Sequence, residues 1–114
     1  FHVGENRSRT WIITRTADGL RLKHDHRHED SREDAVTLYG GDTQDAGLAS
    51  RQEFPVDEYS IAMFKDEGLA ASVTNVWAVE VLPEAFVYEM AREGRLFRVA
   101  FNTSETVPAP PPAW

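Results

Sequence analysis

Arg9–His28, R-T-W-I-I-T-R-T-A-D-G-L-R-L-K-H-D-H-R-H, decides how this chain is read. Its first part is rich in β-branched and aromatic residues, which suit a pleated strand. Asp18-Gly19 is a two-residue hairpin signal, because such turns favour residues that tolerate positive φ. Beyond it, Leu20, Leu22, His24, His26 and His28 fall on one side of an extended strand, and Arg21, Lys23, Asp25 and Arg27 on the other. The two-residue loop predicts Trp11 opposite His26, Ile13 opposite His24 and Arg15 opposite Leu22, with His28 at a rim opposite Arg9. Trp11, Ile13, Leu20 and Leu22 then share the face of the histidines, so the imidazole row continues an apolar, core-facing stripe.

Alternation between turn signals continues through the chain and predicts antiparallel β-structure. Glu29–Asp34 reads as a charged loop. Ala35–Tyr39 is a short strand ended by a Gly40-Gly41 turn, and Leu48–Phe54 is another, stopped at Pro55. Residues 57–67 fit either a short helix capped by Asp57 with Gly68 as its stop, the favoured reading, or a strand that aligns Tyr59, Ile61 and Met63. Leu69–Leu82 reads as one long strand. Ala85–Ala91 and Arg95–Asn102 form a hairpin around Glu93-Gly94 that pairs Met90 with Phe97, Tyr88 with Val99 and Phe86 with Phe101; on its reverse side Glu89 meets Arg98. About seven strands joined largely by hairpins predict an all-β fold, a small antiparallel barrel or a curled sandwich. Residues 1–107 make a single β domain, and 108–114, P-A-P-P-P-A-W, an extended tail.

The chain has 114 residues, enough for one modest core. Its net charge of −7 is uneven: residues 1–28 hold six Arg and Lys against three Asp and Glu, and residues 29–114 hold six against sixteen. An acidic balance argues against nucleic acid as a partner. No apolar run reaches the length of a membrane-spanning helix, which argues against integral membrane association. With no cysteine, thiolate metal sites and a thiol nucleophile are excluded. The compartment stays open, periplasmic, secreted or cytoplasmic.

The histidine row is the strongest pointer to chemistry. Alternate strand residues lie about 6.6 Å apart, so His24 and His28 are separated by about 13 Å. Ligand nitrogens sit about 2.0–2.1 Å from zinc. At most two of His24, His26 and His28 can therefore share Zn²⁺ or another divalent transition metal, and a third ligand must come from elsewhere, with His2, Asp45, Glu53, Glu80 and Tyr88 as candidates. Asp25 points to the opposite face and cannot orient either neighbour. Without a metal, imidazoles suit a ligand pocket or acid–base work, since small shifts move them across neutral pH.

Other residues join this face. Arg15 is expected inward opposite Leu22, where it would need an anionic partner. Asn75 is a polar group in the apolar row of Val73, Trp77, Val79 and Val81, and both ends of its amide need partners. Tyr88 lies among Phe86 and Met90 with a hydroxyl to satisfy. Gly40-Gly41-Asp42-Thr43 lacks the Lys-Ser/Thr of a phosphate loop. The leading expectation is a module that binds a small, partly apolar molecule in a β-barrel pocket lined by Trp11, Arg15, Leu22, His24, His26, Asn75, Trp77 and Tyr88, with metal assistance as a variant. The alternatives are a small isomerase, cyclase or hydrolase using His24 and His26 as acid–base groups or zinc ligands, and an interaction protein whose histidines are simply packed.

Overall fold

A computed structural model describes residues 1–114. The strands are β1 (Arg9–Arg15), β2 (Leu20–His26), β3 (Tyr39–Asp42), β4 (Arg51–Pro55), β5 (Val76–Leu82), β6 (Ala85–Arg92) and β7 (Arg95–Asn102); a helix, α1 (Glu58–Asp66), and a 3₁₀ turn, Ala70–Thr74, lie between β4 and β5. Strands β1-β2-β3 form one antiparallel sheet and β4-β5-β6-β7 a second. The sheets are not closed on each other, so the architecture is a curled sandwich rather than a barrel. Leu22 from the first sheet, Phe54, Trp77, Val79 and Tyr88 from the second, and Phe64 from α1 make the core between the layers.

The second hairpin follows the alternation residue for residue: Met90 faces Phe97, Tyr88 faces Val99, Phe86 faces Phe101 and Glu89 faces Arg98. Gly94 takes φ +74°, as the tight turn needs. The first hairpin departs from expectation by two residues. Trp11 lies opposite His24, Ile13 opposite Leu22, Arg15 opposite Leu20, and Arg9 opposite His26. The loop is Ala17-Asp18, closed by the Thr16 amide donating to the Gly19 carbonyl at 2.8 Å. Two contacts hold it there. The Thr16 hydroxyl accepts from the Asp18 amide at 3.3 Å, and the Leu20 amide donates to Thr43 Oγ1 at 3.1 Å from the neighbouring segment. A slip of two preserves the period of a strand, so the imidazole row keeps its face.

Four further segments differ from the sequence reading. Gly40 and Gly41 are not a terminating turn but the middle of β3. A Cβ at Gly40 would collide with the Leu22 carbonyl, and one at Gly41 with the Pro55 carbonyl, so only glycine lets the backbones approach. The expected strand Ala35–Tyr39 is an irregular approach to β3, and Leu38 within it takes φ +58°. Leu48 makes only an isolated bridge, and β4 begins at Arg51. Leu69–Leu82 is not one strand: its first part winds into the 3₁₀ turn, closed where the Asn75 amide donates to the Ser72 carbonyl at 3.1 Å.

Helix α1 stands where the cap signal places it. Asp57 accepts from the Ser60 amide at 2.9 Å and takes Lys23 Nζ at 2.6 Å. Burial pushes the Asp57 carboxyl up, but the hydrogen bonds from Lys23 and Ser60 outweigh it and hold the group below its ordinary value. Buried Ser60 accepts from the Gly40 amide at 2.8 Å, which fixes α1 against β3. Strand β3 thus ties the helix to the first sheet and sets one wall of the space between the layers.

Candidate functional site

A cleft of about 580 Å³ opens between the two sheets, on the side that carries the imidazole row. Its walls are mainly apolar: Trp11 from β1, Tyr39 from β3, Phe64 from α1, Trp77 from β5, Tyr88 and Met90 from β6, and Phe97 from β7. The rings are mutually packed. Trp11 stacks on Tyr88 with centroids 4.1 Å apart, and Phe1 also stacks on Trp11 at 4.8 Å. A space of this size and lining is typical of small-molecule sites.

His24 is 1% exposed and lies beneath the cleft wall. Its ring stacks on Tyr39 at 4.5 Å. Its Nδ1 is 3.0 Å from the Tyr39 carbonyl, which can only accept, so Nδ1 carries the proton. Nε2, 2.7 Å from the Tyr88 hydroxyl, is then the acceptor and Tyr88 donates. Burial lowers the His24 pKa to about 4 and raises that of Tyr88, so both stay neutral near pH 7. With both nitrogens engaged, His24 positions Tyr88 instead of facing a ligand.

His26 is the histidine that reaches the cleft. Its Nδ1 donates to the Val36 carbonyl at 3.1 Å, and its Nε2 has no protein partner. His28 lies past the end of β2, exposed, with Nε2 3.2 Å from Asp34. The structure brings no three of its His, Asp and Glu side chains together in a metal-holding group. The two-histidine arrangement expected at His24 and His26 therefore lacks a third ligand, and His24 has no nitrogen to offer.

Of the expected ligand-binding residues, Trp11, Asn75, Trp77 and Tyr88 line the cleft. Leu22 is fully buried under it. Arg15 is misplaced by the two-residue slip: it pairs with Leu20 at the far end of the hairpin and is exposed. There it borders a polar surface groove with Thr16–Arg21 and Asp42–Ala46, where Arg21 is already neutralised by Asp42 at 2.7 Å. That groove lacks the apolar walls of the cleft.

The cleft arginines Arg9, Arg92 and Arg95 escaped sequence reasoning, as did walls such as Tyr39, Phe64 and Phe97. Arg9 reaches Ser8 Oγ at 3.3 Å. Arg92 donates to Ser72 Oγ at 3.2 Å and to Oδ1 of buried Asn75 at 3.3 Å. None of the three arginines contacts a carboxylate within ion-pair distance, and the one carboxylate in the wall, Asp34, is engaged by His28 and by the Val36 amide at 2.7 Å. A signal was present in R-E-G-R, because the Glu93-Gly94 turn places Arg92 directly opposite Arg95. Like charges opposed across a strand pair are unfavourable and therefore informative.

Compared with known protein families, with characterised proteins and with solved structures, the chain matches none.

Proposed function

We propose that the protein is a small-molecule binding module whose ligand enters the cleft between the two sheets. The observation that carries this reading is the 580 Å³ cleft walled by Trp11, Tyr39, Trp77, Tyr88, Met90 and Phe97. Aromatic walls offer flat apolar area at small entropic cost, and a ligand lying against them gains both burial and ring contacts. The Tyr88–His24 hydrogen bond holds one wall rigid, which favours binding by reducing what must be ordered. The compartment in which it works is left open by the fold; no helix is long and apolar enough to cross a membrane.

The test is a titration with N-phenyl-1-naphthylamine, a neutral aromatic dye, followed by fluorescence and by the indole N–H resonances of Trp11 and Trp77. Saturable one-to-one binding with shifts at both indoles is expected. Absence of binding, or shifts confined to residues outside the cleft, would overturn the reading. A second reading rests on His26, which lines the cleft and has no hydrogen bond at Nε2: an enzyme in which this imidazole moves a proton of the bound molecule. His26→Gln separates the two, since a binding module keeps its affinity in this variant and an enzyme loses turnover.

A further inference from the structure

Resting on that cleft reading, we propose that the ligand is a small organic anion, a planar aromatic body bearing a carboxylate, sulfonate or phosphate, and that Arg9, Arg92 and Arg95 hold the acidic group. The first argument is the distribution of partners. Among the arginines, Arg21, Arg27, Arg32, Arg51 and Arg98 each form an ion pair with Asp or Glu. Arg7 docks on the Pro112 carbonyl at 2.7 Å, and Arg15 is exposed at the far end of the first hairpin. The remaining three unpaired guanidiniums converge on the cleft. In a chain with net charge −7, carboxylates were abundant, yet these three lack one.

The second argument is orientation. Arg92 is held by Ser72 Oγ and by Asn75 Oδ1, neutral acceptors that aim the guanidinium without cancelling its charge. Asn75 is 5% exposed, so this contact also gives a buried amide oxygen its donor. Arg92 and Arg95 oppose each other across the hairpin and repel in the empty protein. An anion between them turns the repulsion into two attractions. Guanidinium forks match carboxylate and phosphate geometry in pairs of hydrogen bonds.

The third argument is the join between charge and ring surface. The arginines and the aromatic walls of Trp11, Tyr88 and Phe97 line one cleft, so a single molecule can meet both. The acidic exterior repels free anions at long range. Selection for an anion must therefore come from this local cluster.

Two dyes decide it: 1-anilinonaphthalene-8-sulfonate, and N-phenyl-1-naphthylamine, which has the same body without the sulfonate. The folded wild-type protein is expected to bind the sulfonate about tenfold more tightly, and added NaCl should narrow that ratio. Arg92→Gln and Arg95→Gln should each weaken the sulfonate by roughly 3- to 10-fold and leave the neutral dye unchanged. Arg15→Gln should alter neither. Near-ultraviolet circular dichroism checks that each variant is folded, and exposed Arg95 supplies the variant least able to disturb the core. Equal binding of the two dyes, or equal sensitivity to Arg15→Gln, would overturn the anion proposal while leaving the cleft reading intact; binding of neither dye would overturn both.

Discussion

The two faces of the four-stranded sheet treat arginine in opposite ways. On the outer face Arg51 reaches Glu80 at 2.9 Å and Glu89 at 3.0 Å, while Arg98 reaches both glutamates at 2.8 Å. Every charge in this group of four has two partners of opposite sign. On the inner face Arg92 on β6 and Arg95 on β7, the strands that also carry Glu89 and Arg98, have none. Strand identity does not explain the difference, because Arg95 and Arg98 share β7. The outer network neutralises itself and leaves no charge for a ligand; the inner pair remains open to one. The contrast also extends to neutral groups: inside, His24 and Tyr88 satisfy each other and stay uncharged, so neither adds to nor cancels the charge of the arginines that line the cleft.

The largest expected effect sits at His24. The groups facing it are Tyr39, Trp77 and Tyr88, with Arg9 and Lys23 adding repulsion to any positive charge on the ring. Its pKa falls from 6.5 to about 4 on folding, chiefly by burial. The unfolded chain therefore takes up a proton first as pH drops. Stability from this group is complete above pH ~6.5 and is lost as pH falls towards 4, by about 3 kcal/mol in total. Urea unfolding of wild type and His24→Gln at intervals from pH 7 to pH 4 checks this. The variant is expected to be less stable at pH 7, because Tyr88 loses its acceptor, but with a flatter pH profile. Equal slopes in the two proteins would show that His24 is not held neutral.

A smaller effect is expected on the outer face. Glu89→Gln removes the negative charge shared by Arg51 and Arg98, and the surviving Glu80 still serves both. Hydrogen bonds from arginine, led by Arg51 at Glu89 and by Arg98 at Glu80, hold both carboxyls below their ordinary value. Their contribution is thus present above the usual glutamate range and fades only as pH falls beneath ~4.3, below most of the His24 window. Because the network is partly solvated, the loss should be about 0.5–1 kcal/mol, shrinking in 1 M NaCl. A loss unaffected by salt would mean that packing, not charge, is at stake there.

What the sequence showed depended on which contacts fix each segment. The β6–β7 hairpin was legible to the residue, since its turn and both strands are local. The inner face of the histidine row was legible too, because period-2 alternation survives a slip of two. The slip itself was not legible: the Thr16 hydroxyl and Thr43, which comes from a distant segment, set it. Gly40-Gly41 read as a turn because what they avoid, the Leu22 and Pro55 carbonyls, belongs to other strands. Of the residues that line the cleft, alternation pointed to Trp11, His26, Asn75, Trp77 and Tyr88. It misplaced Arg15 through the slip, and it passed over Arg9, whose partner is His26 rather than His28.

The smallest effect distinguishes the faces most directly. Arg95 and Arg98 lie three residues apart on β7, both well exposed, on opposite sides of the sheet. Arg98→Gln breaks two ion pairs and should lower stability slightly. Arg95→Gln breaks none and removes a repulsion with Arg92, so stability should stay constant or rise by a few tenths of a kcal/mol, roughly the worth of a cross-strand pair. Differential scanning calorimetry at low ionic strength, where exposed charges act furthest, provides the comparison. Sodium sulfate complicates it usefully: a divalent anion seated between Arg92 and Arg95 stabilises wild type more than Arg95→Gln, whereas general exclusion of salt from the surface stabilises both alike. If Arg95→Gln costs as much as Arg98→Gln, then Arg95 has a structural partner, and the asymmetry between the two faces disappears with it.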